Sequence, residues 1–155
     1  MLVMLQRSTT GAVASSAGYI VDGQTTDAPI IGVLNGVFYN AATTLKPTFA
    51  NFYTQVTPAN SEDIDAFVFD SPTQQYVVAT DDAVTQAGFL ETYDMNTSAG
   101  SDTTGKSTAT LDIGDTSADA ATFRLLRVAE DPENEDITAA YASVVVVPNL
   151  IELQS

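Results

Sequence analysis

The chain has 155 residues, with 20 acids against 5 bases for a formal net charge of −15, and it contains neither cysteine nor histidine. Its bases Arg7, Lys46, Lys106, Arg124 and Arg127 are scattered apart from the last pair, whereas nucleic acid and anionic membranes are bound by clustered Lys and Arg, so neither is an expected partner. The missing thiol and imidazole remove disulfides, thiolate catalysis, the commonest metal ligand and the usual general base near neutral pH, so a non-enzyme with no cofactor and no metal is expected.

Charged residues make up 16% of the chain, against about 25% in ordinary globular domains. Threonine supplies much of the remaining polar surface, and its β-branched side chain suits a pleated, half-wet sheet. The length is that of one domain able to bury a core. Residues 1–17 are read as an N-terminal arm or edge strand and residues 18–155 as a single β-rich domain.

The chain opens with the apolar run Leu2, Val3, Met4 and Leu5, which stops at Gln6 and Arg7. That order is wrong for an export signal, and no segment approaches the length of a membrane-spanning helix. An apolar, strand-like terminus has two placements: in the chain's own sheet, or added to a neighbouring subunit. In the second placement these four residues are the candidate interface, and removing Met1 to Leu5 is expected to weaken assembly more than subunit stability.

Tyr19-Ile20-Val21 followed by Asp22-Gly23 predicts a strand ending in a hairpin turn. The run from Pro29 to Tyr39 predicts a strand, with Gly32 and Gly36 marking bulges or close backbone contact. Residues 40–44 predict a turn, and the segment holding Phe49, Phe52 and Tyr53 is expected to be extended. Asp65-Ala66-Phe67-Val68-Phe69-Asp70 and Gln75-Tyr76-Val77-Val78-Ala79-Thr80, joined through Ser71-Pro72-Thr73, predict a hairpin. Residues 83–90 suit one short helix or an irregular loop, and residues 96–104 a loop. Ala109, Leu111 and Ile113 alternate with Thr108, Thr110 and Asp112 as in a half-buried strand. A further strand over 122–128 alternates Phe123, Leu125 and Arg127 with their neighbours. After an acidic loop, residues 142–147 predict a β-branched strand that Leu150 to Leu153 continue. The expected fold is all-β and mainly antiparallel, a small β-barrel or sandwich with long loops and at most one or two short helices.

Gly100-Ser101-Asp102-Thr103-Thr104-Gly105-Lys106-Ser107 fits the phosphate-loop pattern. That motif works only between a buried strand and a helix whose N-terminus faces the phosphates. The neighbouring sequence is loop-like before and strand-like after, so a turn is expected. Asp102-Thr103-Thr104-Gly105 carries one residue too many for an aspartic-protease loop and lacks a second copy. The loop Asp131-Pro132-Glu133-Asn134-Glu135-Asp136 offers oxygens to a hard cation but not the spacing of an EF-hand, and a solvated acidic turn is the expected reading. Asp63 with Asp65 and Asp81 with Asp82 are the close carboxylates available for acid–base chemistry. Such pairs arise by chance in so acidic a chain.

Several stretches, in order, are similar to a group of small structural proteins of tailed bacteriophages that decorate the head. They are Pro29-Ile30-Ile31-Gly32-Val33-Leu34-Asn35-Gly36-Val37-Phe38-Tyr39, Lys46-Pro47, the Ala66-Phe67-Val68-Phe69-Asp70-Ser71-Pro72 core, and Tyr76-Val77-Val78. Thr104-Gly105-Lys106-Ser107, Leu111-Asp112, Leu125 to Asn134, and Val144 to Leu153 complete the set. The chain before Gly18 departs from that pattern, being shorter and without a hairpin found there. The resemblance implies a virion protein made in the host cytoplasm and placed on the capsid exterior. It would bind the major capsid protein as a homo-trimer at three-fold or quasi-three-fold positions. The other classes the sequence admits are a tail or fibre component and a carbohydrate-binding β-sandwich.

Overall fold

A computed structural model describes residues 2–5, 20–22, 30–53, 57–96, 101, 104, 106–116 and 121–149, with only the backbone of 2–5, 20–22, 115 and 116. Among the described residues ten strands run in chain order: β1 Leu2–Leu5, β2 Ile20–Asp22, β3 Gly32–Asn40, β4 Pro47–Ala50 and β5 Asp65–Phe69, then β6 Tyr76–Ala79, β7 Thr92–Asn96, β8 Thr110–Thr116, β9 Phe123–Val128 and β10 Ser143–Pro148. The only helical elements among the described residues are two 3₁₀ turns, Ala59–Ser61 and Gln86–Gly88. The strands form two five-stranded sheets, one ordered β2-β1-β3-β4 with β5 on the other flank of β3, the second ordered β6-β10-β9-β7-β8. Every ladder is antiparallel. The fold is therefore all-β and mainly antiparallel, as the alternation predicts.

Of the two architectures expected, the barrel is not formed, because both sheets stay open. The second sheet comes nearest to closing. Its outer strands meet at one parallel bridge between Thr80 and Leu111, where the Asp81 amide donates to the Leu111 carbonyl at 3.0 Å. The Ile113 amide then donates to Asp81 Oδ1 at 2.9 Å. A side chain thus takes the place of the next ladder bond, and no ladder follows.

The main core lies on this curled sheet. Tyr93, Leu111, Phe123, Leu125, Val144 and Val146 are buried together with Ile30 and Val84 from the connecting segments. Each fully buried side chain of this size is worth about 1.5–3 kcal/mol. Phe123 and Leu125 face inward while Arg124 faces out, which follows from the two-residue period of a strand. Arg127 does not continue that inward row. The register of β9 against β10 slips between Val145 and Val146, leaving Leu126 opposite no residue. This bulge turns Arg127 to the exposed side. The first sheet carries a smaller cluster of Leu34 and Val37 with Ile31, Tyr39, Ala50, Ile64 and Val68.

Thr80 is fully buried at the closing bridge, and its hydroxyl meets no hydrogen-bond partner among the described residues. Thr80→Val keeps the shape and removes that desolvated group, so unfolding should cost about 1 kcal/mol more. A thermal melt that moved down instead would show that the hydroxyl is bonded.

Two predicted hairpins are not formed. The Asp22-Gly23 signal does not pair β2 with β3, because β1 lies between them: Val3 is opposite Asp22 on one flank and Gly32 on the other. Leu2–Leu5 is consequently an inner strand rather than an edge, and its backbone finds its pairing partners within the chain. Removing residues 1–5 should therefore lower the melting temperature of the isolated subunit, the reverse of the expectation for a free arm. The second hairpin fails differently. Its turn exists, with the Gln74 amide donating to the Ser71 carbonyl at 3.1 Å, but β5 pairs with β3 and β6 with β10. Alternation shows that two runs are strands but not that they pair. Here Val68 joins the Leu34 cluster while Tyr76 and Val78 join the main core, which draws the two strands into different sheets. Tyr76 ties them across the turn. Its ring packs edge-on against Phe123 with centroids 6.2 Å apart, and its hydroxyl donates to the Phe69 carbonyl at 3.2 Å.

The other expectations fare better. Residues 41–44 turn between β3 and β4, and residues 83–90 hold one short 3₁₀ turn; of the segment expected to be extended, β4 includes Phe49 but ends at Ala50, and the chain bends at Phe52. The proposed continuation over Leu150 to Leu153 lies outside the described residues.

Candidate binding surface

The phosphate-loop pattern sits in a β-hairpin. The stretch before it, expected to be loop-like, is instead the strand β7, buried over its first three residues; β8 follows, and the two strands pair antiparallel. Among its described residues, the Ser101 amide donates to the Lys106 carbonyl at 3.0 Å and the Thr104 amide to Ser101 Oγ at 3.2 Å. Without a helix after the loop, no N-terminal amides converge on a phosphate. Gly100, Asp102, Thr103 and Gly105 lie outside the described residues.

Two carboxylates of the acidic loop, Asp131 and Asp136, are bonded by nearby residues of the chain. Asp131 accepts from the Glu133 amide, the Asn134 side chain and Ser143 Oγ, each at 3.2 Å. Asp136 Oδ1 accepts from the Thr138 amide at 3.0 Å and the Thr138 hydroxyl at 2.6 Å. These bonds, from Asn134 first at Asp131 and from Thr138 at Asp136, hold both carboxyls below their usual range. Because the folded values are depressed, this stabilisation is present above the unfolded value near pH 3.8 and fades as pH falls through the lowered ones. Amide protection in the loop joining β9 to β10, corrected for the intrinsic pH dependence of exchange, should fall on acidification below the unfolded value near pH 3.8 before that of the core amides does. Among the described residues no three His, Cys, Asp or Glu side chains gather as a metal site. Asp81 holds the Ile113 amide and Asp82 Oδ1 accepts from the Ala83 amide at 2.7 Å, while Asp65 lies exposed on β5.

What the fold does assemble is an aromatic surface on the first sheet. Phe38 on β3 is opposite Phe49 on β4 and Asp65 on β5, and Phe67 on β5 is opposite Gly36. Paired residues share a face, and so do alternate residues of one strand, which brings Phe69 to the side of Phe67. Phe49 and Phe67 meet across β3 over Gly36, with ring centroids 5.9 Å apart and planes inclined by 51°. Gly36 makes this possible: a Cβ there would lie 2.5 Å from Phe49 Cζ and 2.8 Å from the Ala50 carbonyl oxygen.

Phe49, Phe69, Phe67 and Phe38 remain 57%, 48%, 47% and 37% exposed. Phenylalanine is ordinarily a core residue, yet of the seven in this chain four lie here in the open. Scattered exposed apolar residues are unremarkable, whereas a contiguous group marks an interaction site. The sequence carries the four residues plainly, but Ala66-Phe67-Val68-Phe69 is apolar on both parities. Alternation therefore does not say which side is wet. The glycine placed opposite an aromatic is the one local signal.

The four residues of the apolar N-terminal run are not part of what can be described of this surface. Their backbone lies in the same sheet, on the flank of β3 shared with β4. Comparison with protein-family models, with curated proteins and with solved structures finds no match to this chain.

Proposed function

We propose that the chain is a non-catalytic structural protein of a virion, which binds the outer surface of the capsid lattice and stabilises the head. The observation that carries the reading is the open phenylalanine face of the first sheet. It is a surface made for contact, on a strongly acidic β module whose motif-like loops bond to themselves. The partner comes from the ordered resemblance to head-decoration proteins of tailed phages. On this reading the major capsid protein is bound by a homo-trimer at three-fold or quasi-three-fold positions, and Leu2, Val3, Met4 and Leu5, whose backbone pairs within the chain's own sheet, would reach the capsid or subunit interface as part of that sheet rather than as an added strand. A protein that binds only the expanded shell stabilises it by mass action, and repeated weak contacts add through avidity.

A sugar-stacking platform is the poorer use of this face, because its two central rings are tilted against each other and the chain has no tryptophan. The test is electron cryo-microscopy of the parent virion. Density for this fold on the outside of the head is the expected result, and a head without it removes the proposal.

A further inference from the structure

The phenylalanine face is acidic at one end. Glu62, Asp63 and Asp65 stand at the start of β5, with Lys46, in the turn before β4, the nearest base in sequence. Asp65 is opposite Phe38, and alternation puts it on the side of Phe67 and Phe69. Glu62 accepts from the Asn40 side chain at 2.8 Å, which holds its carboxylate at the end of β3. An apolar centre beside a predominantly acidic end selects its partner by complementarity, and like charge against like is costly. A second copy of this chain brings the same acids and another net charge of −15 to the contact. Nucleic acid and anionic lipid are repelled on the same ground.

We infer that the face around Phe38, Phe49, Phe67 and Phe69 docks a protein surface that is apolar at its centre and flanked by Lys or Arg. Arginine is the better fit, since its flat guanidinium stacks on phenyl faces and pairs with carboxylates at once. The inference rests on the proposed function, under which that surface belongs to the capsid lattice. It adds the chemistry of the contact: apolar burial supplies the adhesion and the acidic end supplies selectivity and salt dependence.

The experiment uses the full chain and shells of the parent virion stripped of it, with binding read by co-sedimentation. Wild-type affinity is expected to fall about tenfold between 50 and 300 mM salt. The Phe49→Ser, Phe67→Ser pair should lose about a hundredfold. Glu62→Gln with Asp65→Asn should lose about tenfold and flatten the salt response. The acidic variant, whose substituted side chains are exposed, keeps the test decisive should the phenylalanine pair fail to fold. Folded variants that bind like wild type overturn the inference and leave the capsid role standing. So does a phenylalanine variant that dissolves a homo-oligomer while shell binding persists, since the face then belongs to a second copy. A wild-type chain that does not bind the shells removes the capsid role and this contact together.

Discussion

Asp94→Ala is expected to lower the free energy of unfolding by about 3 kcal/mol, seen as a reduced urea midpoint with an unchanged slope. Asp94 sits on β7 and is only 3% exposed, as is Thr122. Its Oδ1 accepts from both the Thr122 amide at 2.9 Å and the Thr122 hydroxyl at 2.8 Å. These bonds clamp the entrance of β9 to β7 just before the Thr92–Arg124 and Tyr93–Phe123 pairs form. Alanine leaves two buried donors without that acceptor, and each such loss costs about 1–3 kcal/mol. The neighbouring bonds limit relaxation. The Asn149 amide already holds the Thr122 carbonyl at 2.8 Å, and the Asn149 side chain holds the Ala121 carbonyl at 3.0 Å. Asp94→Asn keeps an acceptor and should cost about half as much. Thr122→Val removes one donor, so its effect in the Asp94→Ala background should be smaller than in wild type. Strictly additive effects would mean that the two residues do not act as a unit.

Asp94 also shows where sequence reading stops. In Thr92-Tyr93-Asp94-Met95-Asn96 an acid in a stretch ending in Asn reads as solvated, yet the strand buries its first three positions. Polar residues at buried sites are placed by partners distant in sequence, here 28 residues away, and no local pattern encodes that. The same limit explains the two hairpins. β-branched and aromatic alternation located β3, β5, β6, β9 and β10 closely, because period and composition are local properties. Strand pairing is decided by which burial wins in three dimensions, so β1 entered between β2 and β3, and β5 and β6 parted. Turn chemistry was legible where the backbone requirement is local, as in the self-bonded acidic loop and the hairpin at Ser101 to Lys106. The aromatic face was legible only in its ingredients. Four phenylalanines in strands gave no sign of being exposed until Gly36 and the β3–β5 register put them on one side.

Gly36 is also where fold and proposed contact depend on one residue. Gly36→Ala is expected to cost about 2 kcal/mol, the range for one methyl group forced into a filled site. Its Cβ would meet two atoms of different compliance. Phe49 Cζ, at 2.5 Å, is the far end of a ring that can swing, whereas the Ala50 carbonyl oxygen, at 2.8 Å, belongs to the β4 backbone. The ring can yield first, and in yielding it leaves Phe67. The carbonyl can move only by loosening β4, which pairs with β3 at Val37–Ala50 and Phe38–Phe49. The adjacent bulge, where Leu34 is opposite Val68 and Gly36 opposite Phe67, leaves slack on the β5 side and none on the β4 side. The main core lies chiefly in the other sheet, so the variant should still fold with a lowered midpoint. Shell binding should then fall by more than the stability change alone accounts for, because the exposed rings no longer form one surface. Phe49→Leu is the companion measurement. It keeps apolar area and removes the ring that the new methyl group would strike, so Gly36→Ala should cost less in that background. An equal cost in both backgrounds would place the strain at the Ala50 carbonyl instead, and leave the aromatic contact over Gly36 without a part in it.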